Sequence, residues 1–388
     1  MGQGGARSTA EKSEKIMNQL SYWEREEWFK PADLIIVGAG IVGASAALFY
    51  KEIYPDHEVV IVERGSSPMG ASTRNAGFSC IGSISEHLAD IELTGVDTVL
   101  KRIQRRWNGL KLLKTTMGEE AIGYEPTGGY EIFYEDQLFQ KCRSEIDSLN
   151  RRMEETLGEK EVYSETIYEG VPAILNRLDG SINSGKLMRS LHQKISKLGV
   201  RTLWNSEVSA VEEGLVRLRN GNELRADKIA LTVNGFISDL SDLNVLPARG
   251  YVFVTQPIDE LRWKGTFNYN EGYVYFRNIE NRLLLGGGRD VAKDEETTSE
   301  FGVNPVIREY LISFANEKLK LPKGWEIDLE WSGIMGVTPD KEPIIREVKP
   351  DIWAAAGLSG MGIAIGMQVA KDLVLFSLKQ KEPKSSRR

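Results

Sequence analysis

The amino-acid sequence predicts a two-domain α/β (α+β) protein in which the segments of the two domains are interleaved along the chain. A strand–helix–strand unit with a glycine-rich turn begins near residue 33, and apolar strands of the same kind recur near residues 200–235 and 352–356. Blocks rich in alternating strand residues and aromatic side chains lie between them. We therefore expect a Rossmann-like domain with a central parallel sheet and a second domain with a mixed or antiparallel sheet.

The strand–helix–strand unit covers residues 32–64 and has the pattern of a dinucleotide-binding motif. Its turn carries Gly38, Gly40 and Gly43 in the spacing G-x-G-x-x-G. Gly38 permits the tight turn, Gly40 lets the backbone approach a pyrophosphate, and Gly43 lets the helix pack closely on the strand. The N-terminus of the helix then directs unpaired N–H groups and the positive end of its dipole at phosphates.

A second apolar strand ends at Glu63, twenty residues after Gly43. An acid at this position accepts hydrogen bonds from an adenosine ribose. The glycine triplet alone also fits an ordinary loop, whereas the triplet with both strands, the helix and the acid predicts a nucleotide site. Its candidate residues are Gly38, Ala39, Gly40, Ile41, Val42, Gly43, Glu63 and Arg64.

The remaining elements follow from hydrophobic periodicity and turn residues. Helices are predicted over 18–30 (short, amphipathic and packed on the main body), 88–103, 137–157, 184–198 (with Asn183 or Ser184 as the N-cap) and from 362 to 375. Strands are predicted within 123–134, 200–211, 228–234, 252–255, 273–276 and 282–286, and the Asn220-Gly221 pair predicts a hairpin.

These elements predict the following division of the chain. Residues 1–30 form an N-terminal extension, residues 31–92, 170–245 and 330–378 form the nucleotide-binding domain, residues 93–169 and 246–329 form the second domain, and residues 379–388 form a basic tail.

Composition excludes several classes of protein. The net charge of -7 and the pI of about 5.4 argue against nucleic acid or an anionic membrane as the main partner. Two cysteines make no disulfide framework, and no segment reaches the roughly 18 apolar residues of a membrane helix. The first thirty residues carry no apolar signal-peptide core. We therefore expect a cytoplasmic protein without a membrane span, and we predict no metal site.

Two further loops favour FAD over NAD as the dinucleotide. Residues 70–77 are small and follow Glu63 closely, and residues 357–362 form a glycine-rich turn that opens the last helix. An extended pyrophosphate and a flat tricyclic ring require backbone to come close at several distant points, as these loops permit. An NAD enzyme has no evident need for either loop.

The motifs resemble those of the D-amino acid oxidase-like group of FAD enzymes, which includes glycine oxidase, monomeric sarcosine oxidase and gamma-glutamylputrescine oxidase. The resemblance runs from about residue 33 to residue 375, and as an ordered set its motifs are specific to the group. They are the Gly38 triplet with Glu63, and residues 70–77, 179–187, 248–251, 331–340 and 357–362.

The resemblance implies further flavin-binding residues. The loop near residue 72 would contact the ring and phosphates, Val208 the adenine, Asn234 the pyrophosphate, and the turn at Gly360 the pyrimidine edge. A helix N-terminus there would stabilise the negative charge of the reduced flavin. The set is Ala71, Ser72, Arg74, Asn75, Ala76, Gly77, Val208, Asn234, Gly235, Gly333, Gly360, Met361, Gly362 and Ile363.

Two departures from the group bear on the chemistry. Sarcosine oxidase-like members attach flavin through a cysteine at the place of Gly333, so the FAD should be non-covalent here. They also carry a lysine, thought to help oxygen accept electrons, in the strand that corresponds to residues 282–285. This chain has leucines there, which leaves O2 or another carrier as the electron acceptor.

The resemblance implies hydride transfer to flavin N5 from a carbon that bears an amine, followed by hydrolysis of the imine. The candidate substrate-binding residues are Arg249, Tyr251, Tyr275 and Arg289, of which Tyr275 and Arg289 are the candidate catalytic ones. We expect Arg277 to form a surface ion pair, and Tyr273 to face away from Tyr275.

For the histidines and Cys80, we weigh a structural role against a functional one. His57 and His192 are expected to be structural or exposed, and Cys80 to be a small buried filler. His87 follows the loop at residues 70–77 and is also expected to be structural, although it could approach the site.

Two other functions remain open from the sequence. One is an FAD-dependent dehydrogenase of a 2-hydroxy acid or polyol, and the other is a non-catalytic flavoprotein. The substrate expected first is a small amine or amino acid, with no nucleic acid as partner.

Overall fold

The computed structural model of the protein describes residues 20–379. The helices are α1 (Tyr22–Glu27), α2 (Ile41–Ile53), α3 (Ala71–Arg74), α4 (Ile84–Thr94), α5 (Val96–Met117), α6 (Glu119–Ile122), α7 (Asp136–Ser144), α8 (Ile146–Leu157), α9 (Ser184–Lys197), α10 (Pro305–Glu317) and α11 (Gly362–Lys379), with 3-10 turns at Asn234–Asp239 and Arg289–Ala292.

The strands follow in the same chain order. They are β1 (Ala32–Val37), β2 (Val59–Val62), β3 (Phe78–Ser79), β4 (Gly129–Ile132), β5 (Tyr163–Tyr168), β6 (Val171–Asn176), β7 (Gly180–Ser181), β8 (Arg201–Leu203), β9 (Val208–Glu212), β10 (Leu215–Leu218), β11 (Glu223–Leu231), β12 (Leu246–Thr255), β13 (Thr266–Tyr269), β14 (Val274–Ile279), β15 (Arg282–Gly287), β16 (Ile327–Val337), β17 (Ile344–Lys349) and β18 (Ile352–Ala356).

The first sheet has a parallel centre. Its order is β17-β18-β11-β1-β2-β8, with β9 and β10 continuing from β11 as antiparallel strands. Strands β18, β11, β1, β2 and β8 are mutually parallel. Leu34 and Ile36 pack into one core with α2 and α11, whereas Ile35 and Val37 pack into a second core on the other face. Burial on both faces explains why β1 and β2 read as continuous apolar runs.

The second sheet is mixed and has the order β16-β12-β15-β14-β13-β4-β6-β5. Of the pairs of neighbouring strands described in this sheet, only β13–β4 is parallel. One face carries Phe253, Phe267 and Phe276 under α10. The opposite face carries Val252 and Leu284, which contact Ala76 of the loop before β3. The predicted fold class is confirmed: a parallel-centred sheet and a mixed sheet share an interleaved chain.

Strand pairing and helix packing cross the expected domain boundaries in three places. Strands β6 and β16 belong to the second sheet, although the boundary at 170 assigned β6 to a nucleotide-binding segment and the boundary at 330 divides β16. Helix α5 packs on α11: a Cβ at Gly109 would lie only 2.0 Å from the carbonyl oxygen of Ala364. The basic tail after residue 379 and most of the N-terminal extension lie outside the described residues.

Several local predictions are confirmed and others are wrong. Asn183 caps α9 by accepting the Lys186 N–H at 2.9 Å, and the Asn-Gly pair joins β10 to β11. The helix expected over 88–103 is split at Gly95, whose φ is +81°. The helix expected over 137–157 is two helices that meet at Glu145.

The N-terminal helix also differs from its prediction. It is six residues long, and 72% of the surface of Trp23 is exposed, so α1 does not pack on the main body as an amphipathic brace. Among residues 20–379, no helix has both the length and the apolar character needed to cross a bilayer.

Candidate active site

A cleft of about 1450 Å³ lies where the carboxyl ends of the parallel strands face the second sheet. It exceeds the roughly 300–1,000 Å³ of a pocket for one drug-sized molecule, so it can hold a long ligand together with a smaller one. Three turns that are distant in sequence meet at its wall, near Gly40, Ser72 and Gly360. In an open α/β sheet, this is the edge at which ligands bind.

Gly38 and Gly43 have the backbone geometry that the spacing predicts, and Gly40 lies at the cleft wall. Gly38 has a φ of +104°, which a side chain would disfavour. A Cβ at Gly40 would lie 2.9 Å from Ser72 Oγ, at the cleft wall. A Cβ at Gly43 would lie 2.0 Å from the carbonyl oxygen of Gly38, so Gly43 serves helix–strand packing and does not line the cleft.

The start of α2 leaves backbone donors available to a ligand. Gly40 is the N-cap and has no side chain to satisfy the first N–H groups, although Ile41 N–H donates to Ser72 Oγ at 2.9 Å. Val42 also lines the cleft, whereas Ala39 is buried behind it. The positive end of the α2 dipole therefore faces this part of the cleft.

Glu63 stands at the end of β2 on the cleft wall. Its carboxylate accepts the N–H groups of Ala39 and Gly65, both at 2.9 Å. A carboxylate has about four lone-pair sites, so Glu63 can accept further hydrogen bonds from a ligand. Arg64 lies beside it with its guanidinium 3.8 Å from the centre of the Phe236 ring. Val208, at the start of β9, completes this end of the cleft.

The second turn, residues 70–77, is held by its own side chains. Asn75 Nδ2 donates to the carbonyls of Ala71 (3.0 Å) and Ser72 (2.9 Å), and Asn75 Oδ1 accepts the Gly77 N–H at 2.8 Å. Ala71, Ser72, Asn75 and the neighbouring Ala76 line the cleft. Gly77 does not, because a Cβ there would lie 2.4 Å from the carbonyl oxygen of Ile182.

Arg74 docks this loop on the second sheet. Its Nη1 donates to the carbonyl of Ser332 at 2.8 Å, and Trp331 Nε1 donates to the carbonyl of Arg74 at 3.1 Å. Gly333 follows on the same strand and lines the cleft, where a Cβ would lie 3.2 Å from Arg74 Cβ. The absence of a side chain at Gly333 therefore lets loop and strand meet.

The third turn leads into α11 and is tied to the first sheet. Asn234 Oδ1 accepts the N–H of Gly357 at 2.9 Å. Gly360, Met361, Gly362 and Ile363 line the cleft, as does Asn234. Gly235 does not, because its backbone packs on strand β16: a Cβ there would lie 2.5 Å from the carbonyl oxygen of Met335.

Tyr275 and Arg289 lie on the opposite wall, on the second sheet and the segment after it. Burial raises the pKa of Tyr275 to about 12, so its hydroxyl stays protonated at neutral pH. Arg289 Nη2 donates to Thr297 Oγ1 at 3.2 Å, while its Nε is buried without a hydrogen-bond partner among the described residues. No carboxylate of the described residues forms an ion pair with Arg289. An anionic ligand would supply that missing partner.

The structure corrects the expectation that Arg249 and Tyr251 contact the substrate. Residues alternate between the two faces of β12, and Gly250 and Val252 take the face that lines the cleft. Arg249 forms an ion pair with Glu296 at 2.8 Å, and the hydroxyl of Tyr251 donates to Glu330.

Two other orientation predictions are also wrong. Arg277 is 8% exposed and donates to the carbonyls of Gly77 (3.1 Å) and Ile182 (2.9 Å), so it joins loop and sheet where a surface ion pair was expected. Tyr273 lines the cleft together with Tyr275 because it precedes β14 and is not part of its alternation.

The histidines lie outside the cleft wall. His57 Nδ1 is 2.9 Å from the hydroxyl of Tyr50, and His192 Nε2 is 2.9 Å from the carbonyl oxygen of Ala39. Burial lowers the pKa of His87 to about 4, so its imidazole is uncharged at neutral pH. Cys80 lines the cleft, and burial raises the pKa of its thiol. A raised pKa disfavours the reactive thiolate.

Sequence reasoning missed a charged group at one end of the cleft, formed by Glu86, Asp90 and Lys341. Lys341 Nζ is 2.7 Å from Asp90 Oδ1. Burial would raise the pKa of Glu86, but Arg106 at 3.0 Å, together with His87 and Lys341, outweighs burial and lowers it to about 2. Lys341 could have been suspected from the sequence because it directly follows the motif that ends at Asp340. The sequence of α4 gave no signal that Glu86 and Asp90 face the cleft.

Comparison with known proteins agrees with this geometry. The family model DAO, described as FAD dependent oxidoreductase, matches residues 33–374. Gamma-glutamylputrescine oxidoreductase of Escherichia coli is 24% identical over 355 residues, covering 85% of this chain and 80% of that protein. A probable oxidoreductase of Rhizobium meliloti is 22% identical over 364 residues, covering 88% and 82%.

Among solved structures, glycine oxidase from Geobacillus kaustophilus superposes with a TM-score of 0.70 at 20% identity, covering 91% of this chain and 96% of that one. This likeness shows a shared fold. Because the family model spans most of the chain, the protein belongs to the DAO family of FAD-dependent oxidoreductases.

Proposed function

We propose that the protein uses non-covalent FAD to oxidise a carbon–nitrogen bond of a small amine or amino acid, in the cleft between the two sheets. The observation that carries the proposal is the meeting of three glycine-containing turns with Tyr275 and Arg289 around one cleft. The turns suit a dinucleotide, and the two side chains suit a small ligand with an anionic group.

The residues present fit FAD. The space at Gly40 exists because the residue has no side chain, and the uncapped start of α2 suits a diphosphate. The residues proposed to contact the cofactor directly are Gly38, Gly40, Ile41, Val42, Glu63, Arg64, Ala71, Ser72, Arg74, Asn75, Ala76, Val208, Asn234, Gly333, Gly360, Met361, Gly362 and Ile363. Ala39, Gly43, Gly77 and Gly235 would support them from behind the wall.

The two sheets would have different roles in binding. We propose that the first sheet and the turns at its edge supply most of the FAD contacts, together with Gly333 of the second sheet, and that the second sheet binds substrate. Strand pairing supports moving β6 and β16 to the substrate unit.

When bound in this cleft, FAD would supply the hydride-accepting chemistry that oxidises the carbon carrying the amine. In the substrate, that carbon–hydrogen bond breaks with its electron pair and the carbon–nitrogen bond becomes double. Water then converts the imine to a carbonyl compound and releases the nitrogen as ammonia or a smaller amine. An acceptor, either O2 or another carrier, must afterwards remove the two electrons.

The protein's own groups would bind and orient the substrate. Arg289 would pair with an anionic group, and the protonated hydroxyl of Tyr275 would donate a directed hydrogen bond. Val252 and Leu284 would keep water away because they form an apolar patch beside Tyr275.

An anaerobic reduction assay tests the proposal against its alternatives. Purified protein is mixed with a panel of primary amines, N-methyl amino acids, polyamine derivatives, 2-hydroxy acids and polyols, and the flavin absorbance is followed. Bleaching by amines alone supports the proposal, and bleaching by hydroxy acids or polyols alone supports a dehydrogenase. A flavin that no substrate reduces supports a non-catalytic flavoprotein.

Two finer points belong to the same proposal. Peroxide formed per turnover in air distinguishes O2 from another carrier. A cytoplasmic location is supported by Cys80 and Cys142, whose thiols are unpaired, because an oxidising compartment favours disulfides.

A further inference from the structure

The segment between β15 and α10, residues 288–304, forms one side of the substrate end of the cleft. We call it the cleft loop. It includes a 3-10 turn and otherwise little regular structure, which is unusual for a connection of this length unless it has a function. Its residues on the cleft wall are Arg289, Lys293, Thr297, Ser299, Glu300 and Phe301.

A buried ion pair holds the middle of this loop. Glu296 is 0% exposed, and its two carboxylate oxygens accept from Arg249 Nε (2.9 Å) and Nη2 (2.8 Å). Arg249 N–H also donates to the carbonyl of Glu296 at 2.8 Å, and Asn304 Nδ2 donates to Glu296 Oε1 at 3.0 Å. The two parallel hydrogen bonds between the Arg249 guanidinium and the Glu296 carboxylate fix both the distance and the orientation of the two side chains.

The end of the cleft loop contacts strand β16 and the turn at residues 70–77. Gly302 N–H donates to Ser332 Oγ at 3.0 Å, and the guanidinium of Arg74 lies 4.7 Å from the centre of the Phe301 ring. Gly250, the residue after Arg249, lies on the cleft wall and pairs with Gly333. The ion pair is therefore one residue away from the strand surface that faces the cofactor region.

We propose that Arg249 is a positioning residue, which through its ion pair with Glu296 holds the cleft loop in place and so determines recognition of an anionic substrate group by Arg289 and Lys293. The proposal rests on the proposed function for the identity of the substrate. It differs from the sequence expectation because Arg249 acts without touching the substrate.

The test compares Arg249→Met and Glu296→Gln with the matched control Arg282→Met. Arg282 pairs with Asp328 on the same sheet and does not line the cleft. Binding of 4-aminobutanoate and of its uncharged-end counterpart 1-aminobutane is measured from the flavin absorbance of the holoenzyme. Limited trypsin digestion is followed at Lys293.

Arg249→Met and Glu296→Gln should both weaken 4-aminobutanoate binding about tenfold or more while changing 1-aminobutane binding less than about threefold. Cleavage after Lys293 should accelerate in both, Arg249→Lys should restore part of each property, and Arg282→Met should resemble wild type. Wild-type cleavage rates in both variants would overturn the proposal, as would equal losses for the two probes.

The two proposals fail in different ways. If no amine reduces the flavin of the wild-type protein, the proposed function is wrong. The digestion at Lys293 still decides whether the ion pair holds the loop, because it needs no reaction. Glu296→Gln keeps the shape of the side chain and provides the answer if Arg249→Met does not fold.

Discussion

At the residue scale, an added side chain at Gly40 would meet the cleft wall at Ser72. Gly40→Val should abolish retention of FAD, because its Cβ alone would lie 2.9 Å from Ser72 Oγ and the branches would enter the proposed phosphate site. The flavin-to-protein absorbance ratio of the purified variant measures this. Gly185→Val, at the exposed start of α9, is the control and should stay yellow. Normal yellow colour in Gly40→Val would remove Gly40 from the site.

Arg289 offers a second test on the opposite wall. Arg289→Ala should keep FAD and weaken binding of an anionic amine by about tenfold or more, since a charge-assisted hydrogen bond contributes roughly 1.5–3 kcal/mol. Substrate titration of the flavin spectrum measures the change. Arg308→Ala, which breaks the ion pair with Glu330 away from the cleft wall, should leave binding unchanged. Unchanged affinity in Arg289→Ala would exclude the residue from recognition.

Some residue roles could be predicted from the sequence and others could not. The glycines of the first turn were readable because their constraints are local: a positive φ at Gly38 and a close backbone contact at Gly43. Arg249 and Tyr251 were not, because their direction depends on which face of β12 meets the cleft. That choice is made by pairing with β16, which is about eighty residues away in sequence.

At the element scale, one buried carboxyl group links the second sheet to helix α4. Glu131 on β4 accepts the Ser85 N–H at 3.0 Å at the start of α4, and the Ser85 hydroxyl donates to it as well. Burial raises the pKa of Glu131 to about 7, against the lowering effect of Ser85. Folding therefore favours the protonated form of Glu131 relative to the unfolded chain.

This raised pKa gives a direction for stability against pH. Since the folded pKa of about 7 exceeds the ordinary value of 4.5, the contribution of Glu131 is present below pH 4.5 and is lost as the pH rises through 7. Glu131→Gln cannot ionise, so its free energy of unfolding relative to wild type should increase between pH 5 and pH 8. Denaturant titrations at both values measure this. A difference that is constant with pH would contradict it.

Element boundaries show the same limit of local reasoning. The split at Gly95 could have been suspected from the glycine, whereas the break at Glu145 leaves no glycine or proline in the sequence. The aromatic residues of α1, such as Trp23, follow a helical pattern, yet no element of residues 20–379 buries them. Periodicity identifies a helix face, but it does not show that another element covers it.

At the scale of the whole molecule, the cleft lies between two sheets whose strands alternate along the chain. The proposed cofactor contacts come from both sheets, through Glu63 on one side and Gly333 on the other. FAD should therefore stabilise the assembly of the whole fold. Binding at 100 times the Kd contributes about 2.7 kcal/mol to the free energy of unfolding. The unfolding temperature should fall on removal of FAD and recover on its return, and a midpoint independent of FAD would contradict this.

The central claim is that one cleft brings FAD and a small amine together, and anaerobic mixing of the purified protein with amines tests it most directly. We predict that the protein is yellow, releases FAD on denaturation because the cofactor is not covalently attached, and loses its flavin absorbance with at least one amine or amino acid. Colourless protein that does not bind added FAD, or flavin reduced by 2-hydroxy acids alone, would contradict the account.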